Sequence, residues 1–446
     1  MGKIVIVGAG IAGLTLAYQL SKEGKEVILI EKEKAVGGLS KSFHYDDFIF
    51  DIGPHRFHTD NKEVMDFILE VLKDDKIIIP RSSGVWMFDK YFDWPLKRNA
   101  LFKLPFHIMV KSGLDLFTKP KMKGNSFEDY ILSRYGKTLY KIFFKPYTEK
   151  FLKYDCSQIH RDWAQAGVDR AVIDKRVKMD SLFDVIKNTL LPKPVDTKFY
   201  YPKTGGIDVF SERLKEMITD NKGKVLTASE VTSITTEKGK ITEITINNKE
   251  KVKPELLIWS GPVDTATKLL GLPDPKLEYL SVVCCNVMLD APPRINYQWT
   301  YYGGDTTVFN RVSIPTLFNK ITAPKGKSGI CVELACMEND IVWKNPEHLR
   351  TPIEESLLKV GLIRRFNDII DMKFERIKNT YPIYTLEYPK KLELMTKNLD
   401  KFENLIMLGR TGTFWYNNMD HSIKQALDIS KTILNKQKVK TKRDFF

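Results

Sequence analysis

An α/β protein is the fold class this sequence predicts, with a doubly wound parallel domain interleaved with a helical insertion and a mixed or antiparallel sheet. Three observations predict it. Lys3 to Val7 is an apolar, β-branched run that stops at Gly8-Ala9-Gly10-Ile11-Ala12-Gly13 and gives way to a helical stripe of Leu14, Ala17 and Leu20. A second apolar run, Glu26 to Ile30, ends on Glu31 and completes a strand-helix-strand unit. Further apolar runs that end in turns return much later, at Leu256 to Ile258 and Leu405 to Leu408, so the domain is assembled from separated segments.

Each glycine of the first turn has its own task. Gly8 permits the tight turn, Gly10 lets the backbone approach a pyrophosphate, and Gly13 lets the helix pack closely on the strand. The free N–H groups of the helix that starts near Ile11 and Ala12, with the positive end of its dipole, would then face the phosphates. Glu31 stands eighteen residues beyond Gly13. A carboxylate there suits a ribose with both hydroxyls free and repels a 2′-phosphate. Gly37-Gly38 follows.

Strand, G-x-G-x-x-G, strand, Glu and then G-G resembles the FAD-binding opening of the flavoprotein group that contains amine oxidases, phytoene desaturases, protoporphyrinogen oxidases and UDP-galactopyranose mutases. The second glycine pair favours FAD over NAD. The resemblance adds Lys32, Gly38, Leu39 and His55 to the cofactor's surroundings.

The composition is that of an ordinary globular chain, with 43% hydrophobic and 28% charged residues over 446 positions. No run approaches the eighteen apolar residues of a membrane span, and the chain opens directly into its first strand, so a cytoplasmic protein is expected. Five cysteines without C-x-x-C spacing read as buried free thiols. The net charge of +14 lies partly in the tail from Lys436 to Arg443, which reads as a fraying end with weak attraction to anionic surfaces. The remaining lysines are dispersed, which fits either a solvated surface or an anionic substrate such as a diphosphate. No basic stripe interleaved with aromatics points to nucleic acid.

From Phe43 to Phe57 the chain alternates like a hairpin and turns at Gly53-Pro54. His55 and His58 follow, but no cysteine or carboxylate cluster completes a metal set. Gly53 to Thr59 is similar to the G-x-H-x-F-H-T element that lies against the flavin in UDP-galactopyranose mutases, which implies His58 near the reactive edge of the ring. A structural histidine beside a helix starting at Asp60 is the plainer reading. Residues 60–73 predict an amphipathic helix, and Val85 to Pro95 a hairpin turning at Asp89-Lys90.

The stretch from about Pro105 to Leu191 is mostly helical by periodicity. Within it, Lys145-Pro146-Tyr147-Thr148-Glu149-Lys150 resembles the Y-T-E-K stretch that enters the mutases' substrate pocket. Those enzymes continue to a tryptophan, where Phe151 and Leu152 stand here. Arg170 and Arg311 fall where the family places diphosphate-binding arginines, and a planar bidentate donor suits phosphate. A surface position for Arg170 is an equal alternative.

Tyr200 to Gly206 resembles the P-x-x-G-G element that returns the chain to the flavin domain. Val225 to Ile246 alternates as a small antiparallel meander, and Val231 falls where the group's backbone meets the adenine. Strands from about Leu280 to Met337 follow. Tyr381 lies in an element similar to the family's Y-P, whose tyrosine touches phosphate or sugar. Gly409-Arg410 resembles the closing G-R. The resemblance there implies Arg410 on the pyrophosphate, Tyr416 facing the substrate, and the backbone N–H groups of Asn418 and Met419 on a flavin carbonyl.

The resemblance covers nearly the whole chain. It implies an FAD enzyme of cell-surface glycan biosynthesis that contracts the ring of a nucleoside diphosphate sugar through N5 of the reduced flavin. His58, Arg170, Arg311, Tyr381 and Tyr416 are then the substrate-facing set. The alternative is an FAD oxidoreductase of amine oxidase or desaturase type, acting on a C–N or C–C bond. FAD as a purely structural group is a third reading. The expected segments are 1–80, 196–270 and 396–435 for FAD, 81–195 for the helical insertion, 271–395 for the substrate sheet and 436–446 for the basic tail. A homodimer is left open.

Overall fold

A computed structural model describes residues 2–94, 103–118, 120–166 and 198–437. Arg170 and the tail beyond Gln437 lie outside the described residues.

The separated apolar runs meet in one five-stranded parallel sheet, in the order Leu405–Met407, Pro254–Trp259, Lys3–Val7, Val27–Ile30, Lys224–Leu226. Continuous apolar strands suit this position because both faces are covered. Ile4 and Ile6 point to one side, where the helices Ile11–Lys22, Asp208–Asp220 and Met419–Leu434 supply Leu14, Leu20, Leu214, Ile423 and Leu427. Val5 and Val7 point to the other, toward Ile241 and Ile244 of the meander Val231–Glu237, Lys240–Ile246, Glu250–Val252. Burying a side chain such as Leu14 or Leu20 completely contributes about 1.5–3 kcal/mol.

A seven-stranded mixed sheet forms the second layer, in the order Ile369–Pro382, Tyr279–Leu289, Ser328–Cys336, Arg311–Ser313, Trp299–Tyr302, Ser83–Met87, Lys90–Asp93. Its pairings are antiparallel except that Trp299–Tyr302 runs parallel to Ser83–Met87. Tyr279–Leu289 is buried on both faces, with Val282 and Cys284 toward the nucleotide domain and Val283 and Cys285 toward Ile353 and Leu357 of the helix Arg350–Lys359. All five cysteines are buried free thiols.

The hairpin expected at 85–95 turns one residue earlier than the sequence suggests, at Phe88-Asp89, both at positive φ. It belongs to the edge of the mixed sheet, where Ser83–Met87 pairs with Trp299–Tyr302 and Lys90–Asp93 is the last strand among the described residues. The helix expected at 60–73 runs Lys62–Leu72, capped by the Asn61 side-chain Oδ1 accepting from the Val64 N–H at 3.2 Å. Of the stretch expected to be helical from about 105 to 191, the described part holds the helices Phe106–Thr118, Phe127–Leu139 and Lys145–Leu152, with a π-helical turn at Tyr140–Phe144 joining the last two, and residues 167–191 lie outside the described residues. Among the described residues no helix is long and apolar enough to cross a membrane.

Candidate active site

The first turn builds a cleft of about 700 Å³ at the carboxyl ends of the parallel strands. Gly8 has φ +100°, a conformation that resists a side chain. A Cβ on Gly13 would fall 2.0 Å from the Gly8 carbonyl oxygen, so the helix can approach the turn only without one. A Cβ on Gly10 would meet nothing within 4 Å, because that face opens into the cleft. No side chain caps the helix Ile11–Lys22, which leaves its first N–H groups for a guest.

Glu31 is buried, with one carboxylate oxygen accepting from the Ala9 N–H at 2.7 Å and the other from the Glu33 N–H at 3.0 Å. These two contacts hold the carboxylate in place, and each oxygen keeps a second lone pair for a hydroxyl in the cleft. Lys32, Gly38 and Leu39 line the same wall, with Val231 and Trp259 beyond them. Gly409, Arg410, Asn418 and Met419 close it from the carboxy-terminal segment. Residues four hundred positions apart in the chain thus face one cleft. Gly409 and Ala12 approach closely enough that a Cβ on the glycine would lie 3.1 Å from the alanine's.

A second cavity, of about 430 Å³, shares Leu39, His55, Arg410, Asn418 and Met419 with the first and continues beneath the mixed sheet. It brings together His58, Arg311, Tyr381 and Tyr416, four of the five substrate-facing residues expected from sequence. The fifth, Arg170, is outside the described residues.

Arg311 and Glu333 stand directly opposite each other on adjacent strands. The guanidinium donates through Nε to Oε1 at 2.6 Å, through one terminal nitrogen to Oε2 at 2.5 Å, and to the Tyr381 hydroxyl at 3.1 Å. Burial opposes its charge, but Glu333 outweighs that and holds the Arg311 pKa well above its ordinary value. The fork that sequence offers to a diphosphate is therefore engaged by a carboxylate. Arg410 donates to the backbone carbonyls of Thr380, at 3.0 Å, and Asn417. Its guanidinium lies 5.5 Å from the Tyr381 ring and 5.3 Å from that of Tyr416.

Loop 53–59 is locked to the return segment by paired backbone bonds between Phe57 and Tyr200, each 2.9 Å. Phe57 turns into the core against Phe210, so Arg56 and His58 project to the opposite side beside Phe199. The His58 Nδ1 lies 3.3 Å from the Lys198 carbonyl, and its Nε2 is buried without a protein partner. The His55 Nδ1 and Asn417 Nδ2 on the cleft walls are orphaned in the same way. Burial, followed by the charges of Arg410, Arg56 and Arg311, pushes the His55 pKa down to about 3, so this imidazole is neutral.

Sequence reasoning missed two features here. Arg56 was readable as the variable position of G-x-H-x-F-H-T, but nothing local marked it as cavity-lining. Trp163 stacks on Tyr416 at 4.8 Å with 14° between planes, while Phe151 meets Tyr381 edge-on at 5.0 Å. Phe151 and Trp163 thus supply aromatic surface against the two tyrosines of the cavity. Leu152 is fully buried in the core.

The glycine cradle, the uncapped helix, Glu31 at the ribose position and the orphaned donors and acceptors along both cavities fit FAD. Fold and site together define a dinucleotide-binding protein of the flavoprotein class. Residues 6–71 match the model of an NAD(P)-binding Rossmann-like domain. The chain is 24% identical over 460 aligned positions to a probable UDP-galactopyranose mutase of Klebsiella pneumoniae, covering 97% of this chain and 94% of that one. It superposes on a crystal structure of reduced UDP-galactopyranose mutase with a TM-score of 0.85, 22% identity, and coverage of 99% and 97%. It superposes on putrescine oxidase bound to putrescine with a TM-score of 0.64, 14% identity, and coverage of 97% and 99%. Over nearly its whole length the chain is thus similar to a probable UDP-galactopyranose mutase, and it shares its fold with that mutase structure and with putrescine oxidase.

Proposed function

We propose that this protein is an FAD-dependent mutase acting on a nucleoside diphosphate sugar, changing the size of the sugar ring. The observation that carries this reading is the union of two cavities: a dinucleotide cleft opens through His55, Arg410, Asn418 and Met419 into a chamber walled by tyrosines and guanidinium groups. When bound and reduced, FAD would supply an electron-rich ring nitrogen. The chain's own residues bind, orient and exclude water. Gly8, Gly10, Gly13, Ile11 and Ala12 would cradle the pyrophosphate, Glu31 the ribose, and the Met419 N–H the ring's carbonyl end; the Asn418 N–H, expected there from sequence, is donated instead to His421 Nδ1 at 3.3 Å in a capping box. Tyr381 and Tyr416 would bound the sugar, their hydroxyls kept protonated because burial raises both pKa values. His58 would support the ring edge as a hydrogen-bonding neighbour, and Arg170 would contribute to diphosphate binding.

Incubation of dithionite-reduced holoprotein with UDP-, dTDP- and GDP-hexoses, read by proton NMR for pyranose-furanose exchange, tests the proposal. Exchange with one of them is expected. Its absence with all three would count decisively against the mutase reading.

The aromatic walls also suit an FAD oxidoreductase acting on a C–N bond, the second reading. Guanidinium groups in the same chamber oppose a cationic amine. Rapid flavin reduction by an amine, unaffected by UDP, would favour it.

A further inference from the structure

We propose that Arg56 is the specificity-determining residue that receives an oxyanion of the substrate, with the Trp299 and Phe199 rings fixing the plane of its fork. The inference rests on the mutase reading for the identity of the substrate, but not for the presence of an anion site.

Three observations lead to it. First, the arginine expected to take the anion is already neutralised, since Arg311 is bidentate on Glu333. Second, Arg56 lines the same cavity and has no carboxylate within ion-pair distance among the described residues. Its hydrogen bond goes to the Pro54 carbonyl, from one terminal nitrogen at 2.7 Å. The remaining donors of the guanidinium are left for a guest. Third, the group packs over two aromatic rings on a pinned loop. It lies 4.6 Å from the Trp299 ring and 5.2 Å from Phe199, and loop 53–59 is pinned by the Phe57–Tyr200 bonds. Such preorganisation lowers the ordering cost of binding.

The electrostatics agree. Arg81 lies 5.7 Å from the same Trp299 ring, so a second guanidinium raises the potential around Arg56. Burial lowers the pKa of Arg56, with Arg311 acting in the same direction against Tyr301 and Asp420, and burial also lowers that of Arg81, which expresses the cost of holding cations out of water. Asp420 also lines the cavity and its charge acts on Arg56, but its carboxylate is not within ion-pair distance of that guanidinium. An entering oxyanion relieves that cost and gains a charge-assisted bidentate contact. The oxyanion is either the diphosphate or a carboxylate on the sugar, since both present the same planar pair of oxygens.

The test is titration of oxidised holoprotein with UDP, a UDP-hexose, a UDP-uronate and inorganic pyrophosphate, read by perturbation of the flavin absorbance band. The variants are Arg56→Gln, which removes the charge, and Arg56→Lys, which keeps the charge and loses the fork. FAD content and circular dichroism report folding for each. A loss of about 10- to 100-fold in UDP affinity for Arg56→Gln, with partial recovery in Arg56→Lys, supports the diphosphate as the ligand. Unchanged UDP affinity with loss of the preference for the uronate over the neutral hexose supports the sugar carboxylate. Wild-type protein that answers pyrophosphate but no nucleotide sinks the mutase reading, yet supports Arg56 if Arg56→Gln abolishes the response. Arg56→Gln binding every ligand as the wild type does, or wild-type protein answering none of them, overturns the proposal.

Discussion

Replacing Glu333 by Gln tests whether Arg311 is held by a carboxylate rather than kept for the substrate. The Glu333 side chain is 4% exposed and that of Arg311 is 18% exposed, so the small worth of surface ion pairs does not apply. The amide keeps one acceptor for the two donors that now meet Oε1 and Oε2, at 2.6 and 2.5 Å, and turns an N–H toward the other. Breaking a buried pair from one side leaves an uncompensated charge and costs about 3–5 kcal/mol. The double substitution Arg311→Met with Glu333→Leu removes both charges and should return to within about 1–2 kcal/mol of the wild type. Guanidinium-chloride unfolding of the holoprotein, followed by tryptophan and flavin fluorescence, measures both. A Glu333→Gln variant within about 1 kcal/mol of the wild type would refute the reasoning.

Three other outcomes follow from the same geometry. Gly13→Ala is expected to lose FAD and fold poorly because its Cβ meets the Gly8 carbonyl at 2.0 Å, whereas Gly10→Ala, with nothing within 4 Å, should melt normally as apoprotein and bind FAD more weakly. The ratio of flavin to protein absorbance and a thermal melt separate the two cases. Asp51 accepts from Ser42 and Tyr201, each at 2.7 Å, and from the Ile207 N–H at 3.0 Å, yet burial raises its pKa from 3.8 to about 6. The folded state therefore holds the proton more tightly, and this group's contribution to stability falls as pH rises from about 4 to about 6, with a limiting slope of about 1.4 kcal/mol per unit. Asp51→Asn should remove that fall, as unfolding at pH 4.5, 5.5 and 6.5 would reveal. His55 has the opposite sign. Its pKa is lowered from 6.5 to about 3, so the unfolded chain takes up the proton first and stability is lost as pH falls below 6.5. The two slopes oppose each other in the wild type. His55→Gln should therefore uncover the decline due to Asp51, and an unchanged profile in both variants would contradict these assignments.

Much of the nucleotide-binding half was legible because its signals are local. The spacing Gly8, Gly10, Gly13 and the carboxylate at Glu31 encode a turn, an uncapped helix and a ribose contact within about thirty consecutive residues. The apolar runs at Lys3, Leu256 and Leu405 likewise announce buried parallel strands through their own composition. Hairpin turns were legible to within a residue, as Phe88-Asp89 illustrates.

The chemistry of the second cavity was not encoded in this way. Whether Arg311 is available depends on its register opposite Glu333, twenty-two residues along the chain and meaningful only once Arg311–Ser313 pairs with Ser328–Cys336. Whether Arg56 faces the core or the cavity is decided by the bonds that pin Phe57 to Tyr200 and by the rings of Trp299 and Phe199. The amino-acid sequence by itself determined that a dinucleotide would be held, because phosphate recognition uses the backbone of one contiguous turn. Only the tertiary structure decided which charges remain for a substrate, because a charge is neutralised or kept by neighbours that long-range pairing brings within about 3 Å.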